Sequence, residues 1–351
     1  MSGLENLVSV ELPEASAKVL RGEMKPEGWL RFETTEQRTA YEQWTSHIGF
    51  VLNAMGHYNK DMGALADDTR YVPNWKEIVI FQTHPDDIAL AVGATAHKFA
   101  RLGRQVTGVT MMLPYADPNA AIDRCIATLE EAKVLGFKSI TGRLPTEEFV
   151  KQFKPIVEMY NNEQRRDKPF LQNWIEHTIV PFYHKNGVAL DSGAGTGQNH
   201  IIMRETVYAN TKTADVVFAK SPHDRNGDHV AAALAAGDGG RSIVNLLRYA
   251  GPEYSTDFRP TIFSRVTVED FAAKMLALQF HQESYGKTVA GEHRALSSVD
   301  TLAETWPRGR RFYFHLDAQL GKALYYGKWP KGGNVTSPCL AEGLEVETYA
   351  I

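Results

Sequence analysis

At 351 residues the chain is long enough for one large α/β domain or two modest ones, since single hydrophobic cores stop growing at about 250–300 residues. Hydrophobic residues at 43% and charged residues at 23% exclude the disordered and membrane-embedded classes. A net charge of -4, from 38 basic and 42 acidic side chains, supplies no field for a phosphate backbone or an anionic bilayer, so a small-molecule partner is expected, with no nucleic acid and no membrane.

Two cysteines, Cys125 and Cys339, are too few for a disulfide framework or a thiolate cluster, so a metal here would need His and carboxylate ligands. The first residues, MSGLENLVSVELPEASAKVL, lack a basic segment followed by an apolar run, and a cytoplasmic location is expected. Oligomeric state is not legible.

Residues 1–75 carry aromatics and charges at mixed spacing (Trp29, Phe32, Tyr41, Trp44) and are expected to form a helical extension. Glu77 to Gln82 is a strand signal, and Ile88 to Leu102 is helical, with Gly103 as its stop. Val106 to Leu113 is the next expected strand, Ala120 to Leu135 the next helix, and Phe137 to Ile140 a third short strand. Helices are expected around 147–160 and 170–180, followed by a glycine-rich stretch and a segment 201–208. A buried strand at 214–219, a helix opening at His229, a strand at 262–268 and a helix at 268–283 complete the regular signals. This alternation predicts an α/β domain over 76–285, Rossmann-like, with a mostly parallel sheet flanked by helices. Residues 286–351 are expected to be a C-terminal wrap.

At the C-terminal end of the first strand stands Thr83-His84-Pro85-Asp86-Asp87, where open α/β sheets place ligands. Pro85 stiffens the turn, so His84 and Asp87 can converge on one ion while Asp86 remains free. A catalytic zinc typically takes three protein ligands, and the loop after the 214–219 strand, Ser221-Pro-His-Asp-Arg-Asn-Gly-Asp-His229, offers the third.

Strand–His84-Pro85-Asp86-Asp87, the later Asp228-His229, the small pair Gly93-Ala94, and Lys274, Ala277, Leu278, His281 and Gln282 together resemble the LmbE/PIG-L family of zinc-dependent N-deacetylases over residues 76–284. The resemblance implies zinc held by His84, Asp87 and His229, and Asp86 as the base that activates water. It further implies hydrolysis of an N-acyl group, most simply acetyl, on an amino sugar or a natural-product or peptidic small molecule. Asp228 is expected to orient a neighbouring imidazole, while Arg124 and His281 are candidate substrate-side residues. Three positions depart from the family pattern: Ile88 replaces the usual Glu, Leu113 to Asp117 replaces a Gly/Glu-rich loop, and Asn226 replaces a His three before the last ligand. The oxyanion donor is therefore either Asn226 or His223.

Four other interpretations compete. Asp86 could be a helix cap alone. Val188-Ala-Leu-Asp191 followed by Gly193, Gly195 and Gly197 imitates the loop of S-adenosylmethionine-dependent methyltransferases, although such glycine motifs are weak without context and a substrate-side loop at 192–198 is the expectation. An inactive metal-binding module is a third, against which the spare carboxylate of Asp86 argues. The basic-aromatic segment Trp306 to His315 could suggest nucleic acid, but its three arginines fit tail packing better.

Overall fold

The computed structural model describes residues 75–164, 166–191, 197–240, 243, 245–250, 258, 262–281 and 340–348. The expected extension before residue 75, the glycines at 193 and 195, and the segment around Trp306 lie outside the described residues.

Strand β1 (Glu77–Gln82) alternates Ile78 and Ile80 into one core and Val79 and Phe81 into another, so both faces are buried. That is the near-continuous apolar run of a parallel strand covered by helices on both sides. Helix α1 (Asp87–Arg101) follows, and Gly103 at φ 75 turns the chain into β2 (Gln105–Thr110), parallel to β1. The single strand expected over 106–113 is divided. Met111 and Met112 donate to the carbonyls of Gln82 and Thr83, and Met112–Leu113 (β3) then leaves the main sheet to pair with β6 (Ala189–Leu190).

Helix α2 (Pro118–Leu135) begins where Asp117 accepts the Ala120 amide and Pro118 pre-sets the first turn, and it ends at Gly136 in the left-handed region. The next elements are β4 (Lys138–Thr141), β5 (Leu144–Pro145) and α3 (Thr146–Glu163). Helix α4 (Lys168–Trp174) runs through a π turn (Ile175–Ile179) into α5 (Val180–Lys185), the turn falling just before Pro181, which has no amide hydrogen for the helical ladder. Then come α6 (Gly197–Asn210), β7 (Val216–Lys220), α7 (Gly227–Gly239), β8 (Leu246–Tyr249), β9 (Ile262–Val266), α8 (Val268–Gln279) and β10 (Leu340–Thr348).

The main sheet has eight strands in the order β5-β4-β2-β1-β7-β8-β10-β9. From β4 to β8 the strands run parallel; β5, and β10 with both its neighbours, pair antiparallel. Helices α1, α2 and α8 cover one face and α6 and α7 the other. The chain leaves β1 toward β2 on one side and returns to β7 on the other. The carboxyl ends of β1 and β7 therefore open on the crevice where doubly wound sheets bind ligands.

Two departures from expectation concern the sheet's far edge. The strand at 246–249 has too few residues for a periodic signal, and the end of the expected wrap supplies β10, an internal strand. Non-helical backbone at Val92 interrupts α1, and Glu342 of β10 enters there, accepting the Thr95 amide at 2.7 Å and the Lys274 ammonium at 2.6 Å. That buried pair couples the end of the chain to the helix that carries Asp87. No described helix is long and apolar enough to cross a membrane.

Candidate metal centre

His84 lies just past β1, Asp87 opens α1, and His229 sits in the first turn of α7, so the switch point brings three donors into one crevice. His84 Nδ1 is 3.2 Å from His229 Nε2, which is 3.5 Å from Asp87 Oδ1. The three ligand atoms all lie within 4.8 Å of one another.

Each donor is aimed by a further partner. Asp87 Oδ2 accepts the backbone amides of Thr83 and His84, both at 3.0 Å, which turns Oδ1 toward the cluster and toward Lys220 Nζ at 2.7 Å. Burial raises the pKa of Asp87, but the Lys220 ammonium and the two imidazoles outweigh it and hold the carboxyl below the usual range. His229 Nδ1 is 2.9 Å from Asp224 Oδ2, leaving Nε2 for the cluster. Asp224 itself is kept below its usual pKa: burial opposes this, and the bonds from His229 and the Asn226 amide prevail. His84 Nε2 lies 3.3 Å from Asp228 Oδ2; burial disfavours the imidazolium, yet this bond and the charges of Asp87 and Asp86 raise its pKa. Two imidazoles and a carboxylate, each oriented from behind, form a metal-binding donor set.

Asp86 occupies the N-cap position of α1, but its side chain makes no capping bond. Gln82 does that work: its Oε1 takes the amides of Asp86 at 3.4 Å and Ile88 at 3.3 Å, while its Nε2 donates to Thr110 Oγ1 at 2.8 Å. The cap-only interpretation of Asp86 is therefore not what the fold shows. Among the described residues Asp86 alone, apart from glycines, has positive φ, at 155°, a sparsely populated conformation that marks functional sites. Burial first, and the charge of Asp87 second, raise the Asp86 pKa against the pull of His281, His84 and Arg124.

The remaining expected site residues divide. Arg124 on α2 is half-buried, and its charge reaches both Asp86 and Asp191. His281 is 1% exposed, with its Nε2 2.8 Å from Glu131 Oε2, and it lies among buried groups whose charges reach Asp86. Asp228 contacts the imidazole of His84, whereas the residue that orients His229 is Asp224. Asn226 caps α7, its side-chain oxygen accepting the Asp228 amide at 2.8 Å. His223 is exposed, and among the described residues its ring makes no bond to the ligands.

Sequence reasoning missed Lys220, Asp224, Gln82 and Glu131. A lysine closing the apolar strand Val216–Ala219 was the available signal for the first, and an aspartate two residues before a cap asparagine for the second. Asp191 follows β6, which has two residues and pairs with β3 outside the main sheet, so the methyltransferase arrangement of a glycine loop on a long central strand is absent there. Burial raises the Asp191 pKa, and its charge interacts with His84, Arg124 and Asp228.

Fold and site together define an α/β protein with a His-Asp-His cluster at its switch point whose donor atoms could hold a metal ion. No protein-family model matches the chain. The uncharacterized deacetylase YaiS of Escherichia coli (strain K12) is 24% identical over 215 residues, 59% of this chain and 91% of that protein. Among solved structures, a conserved protein from Thermus thermophilus is 13% identical, with a TM-score of 0.49 over 78% of this chain and 96% of that one. N,N'-diacetylchitobiose deacetylase from Pyrococcus horikoshii is 17% identical, with a TM-score of 0.41 over 84% and 91%. The curated relative is thus itself called a deacetylase, in agreement with the resemblance carried by His84 to Asp87 and by Asp228-His229.

Proposed function

We propose that this protein is a zinc-dependent N-deacylase that removes an acetyl group from the amine of an amino sugar or of a natural-product or peptidic small molecule. The observation that carries the proposal is the meeting of His84, Asp87 and His229 beside an Asp86 whose carboxylate is released from capping by Gln82. The YaiS match supports the same activity.

When bound, zinc supplies Lewis acidity that lowers the pKa of water toward ~7 and polarises a carbonyl. His84, Asp87 and His229 would hold it. The Asp86 carboxylate accepts the proton of the attacking water and later delivers it to the departing amine nitrogen. Asp224 and Asp228 orient the two imidazoles. Arg124, whose charge reaches Asp86 and Asp191, would contact the acyl-amine substrate. The Asn226 amide remains the favoured oxyanion donor through its position three residues before His229, with His223 as the alternative.

Acetate release from a panel of N-acetylated amino sugars and peptides, before chelation, after chelation and after zinc is restored, tests the proposal. The expected outcome is release that chelation abolishes and zinc restores. Release unaffected by complete metal removal would refute it.

A further inference from the structure

Lys220 ends β7 with its side chain 1% exposed, in a medium where an unpaired ammonium would be costly. Its counter-charge is Asp87: Nζ lies 2.7 Å from Oδ1, the same oxygen that faces His229. The Tyr249 ring centroid is 5.4 Å from Nζ, and the Tyr249 hydroxyl is fixed by donation to the Phe81 carbonyl at 2.6 Å, so the ammonium sits in a rigid pocket.

The orientation of Asp87 does not depend on this lysine, because Oδ2 is held by the amides of Thr83 and His84. What Lys220 adds is charge. A carboxylate oxygen has lone pairs enough to serve an ammonium and a metal ion together, but two cations on one oxygen repel each other, strongly so when solvent is excluded. Removing the lysine therefore has two consequences of opposite sign: the metal-free protein keeps a buried Asp87 that has lost its ammonium partner, and an incoming cation meets a carboxylate whose charge that ammonium no longer offsets.

Resting on the assignment of His84, Asp87 and His229 as metal ligands, we infer that Lys220 is an internal counter-ion that keeps the ligand cradle assembled without metal and loosens the metal's hold, making the ion exchangeable. Lys220 is a positioning residue in this role, acting through Asp87.

The test compares wild-type protein with Lys220→Met, which removes charge and hydrogen bond, and Lys220→Gln, which keeps a donor and removes the charge. Zinc affinity is measured by competition with a chromophoric chelator, and the unfolding midpoint is measured with excess chelator and with saturating zinc. The expected result is zinc binding at least about tenfold tighter in both variants, a lower midpoint in chelator, and a larger rise on adding zinc. A merely structural lysine would lower stability and affinity together. A variant that folds only with zinc supports the inference, since the metal then takes over the ammonium's task. Unchanged or weaker zinc binding in a folded variant overturns it, as does failure of both variants to fold in saturating zinc. Absence of zinc binding in the wild type would fall first on the metal-site assignment and remove this inference with it.

Discussion

Asp224 is the clearest lever on the metal centre that leaves every ligand in place. Its carboxylate has no solvent-exposed side-chain surface; one oxygen takes His229 Nδ1 at 2.9 Å and the other takes the Asn226 amide at 2.9 Å. Asp224→Ala removes both bonds. The first loss frees the His229 ring to rotate and lowers the basicity of Nε2; acceptors in this position contribute about 10–100-fold to metal affinity, or ~1.4–2.7 kcal/mol. The second leaves an amide of the turn before α7 without its acceptor, and together the unpaired groups lower folding stability by about 1–3 kcal/mol. Asp224→Asn can keep the turn and still accept from Nδ1 through its amide oxygen, so its affinity loss should fall at the lower end, about tenfold. Titration of each protein against a zinc-chelator indicator reads the affinities, and urea unfolding of the metal-free proteins reads the stabilities. An Asp224→Ala protein with wild-type zinc affinity would refute the argument that this carboxylate sets the His229 tautomer.

Asp86→Asn should retain zinc and lose turnover by ~10²–10⁴-fold, as shown by metal content beside an acetate-release rate. Asn226→Ala should lower the melting temperature through loss of the α7 cap, worth about 1 kcal/mol, whereas His223→Ala should be silent in stability; a turnover loss of ~10²–10³ confined to one of them identifies the oxyanion donor. Asp270 offers a pH test. Burial alone would raise its pKa, but Arg101 and His97 hold it well below the carboxylate range, so its contribution is present above the unfolded pKa of ~3.9 and is lost as the pH falls below that value. Asp270→Asn should therefore be destabilised by about 3–5 kcal/mol at pH 7, and the difference from wild type, followed by urea midpoints, should narrow on acidification. A constant difference down to pH 3 would count against that ion pair.

The sequence alone was enough for the order of β1, α1, β2, α2 and β4 and for the two strand-end motifs, because these depend on local rules. Ile78 to Phe81 reads as a buried parallel strand from its own apolar run, and Gly103 and Gly136 stop helices by adopting φ values that other residues avoid. His84, Asp87 and His229 stood out as candidates because they lie in the loops that follow two recognisable strands and match the family resemblance. Which groups stand behind them was not legible, since those partners are chosen by the approach of segments distant in sequence. Asp224, rather than Asp228, reaches His229 because the Asn226 cap and the first turn of α7 fix the loop's path. Gln82 frees Asp86 from capping through a side chain that ordinary capping patterns do not include. The pairing of His281 with Glu131 arises only where α8 packs against α2, far away in sequence. Residues 340–348, irregular by periodicity, became an internal strand because β8 and β9 left a place between them and Glu342 found Lys274 at the break in α1. Strand pairing and buried charge compensation are properties of neighbours in space, and local sequence carries no record of them.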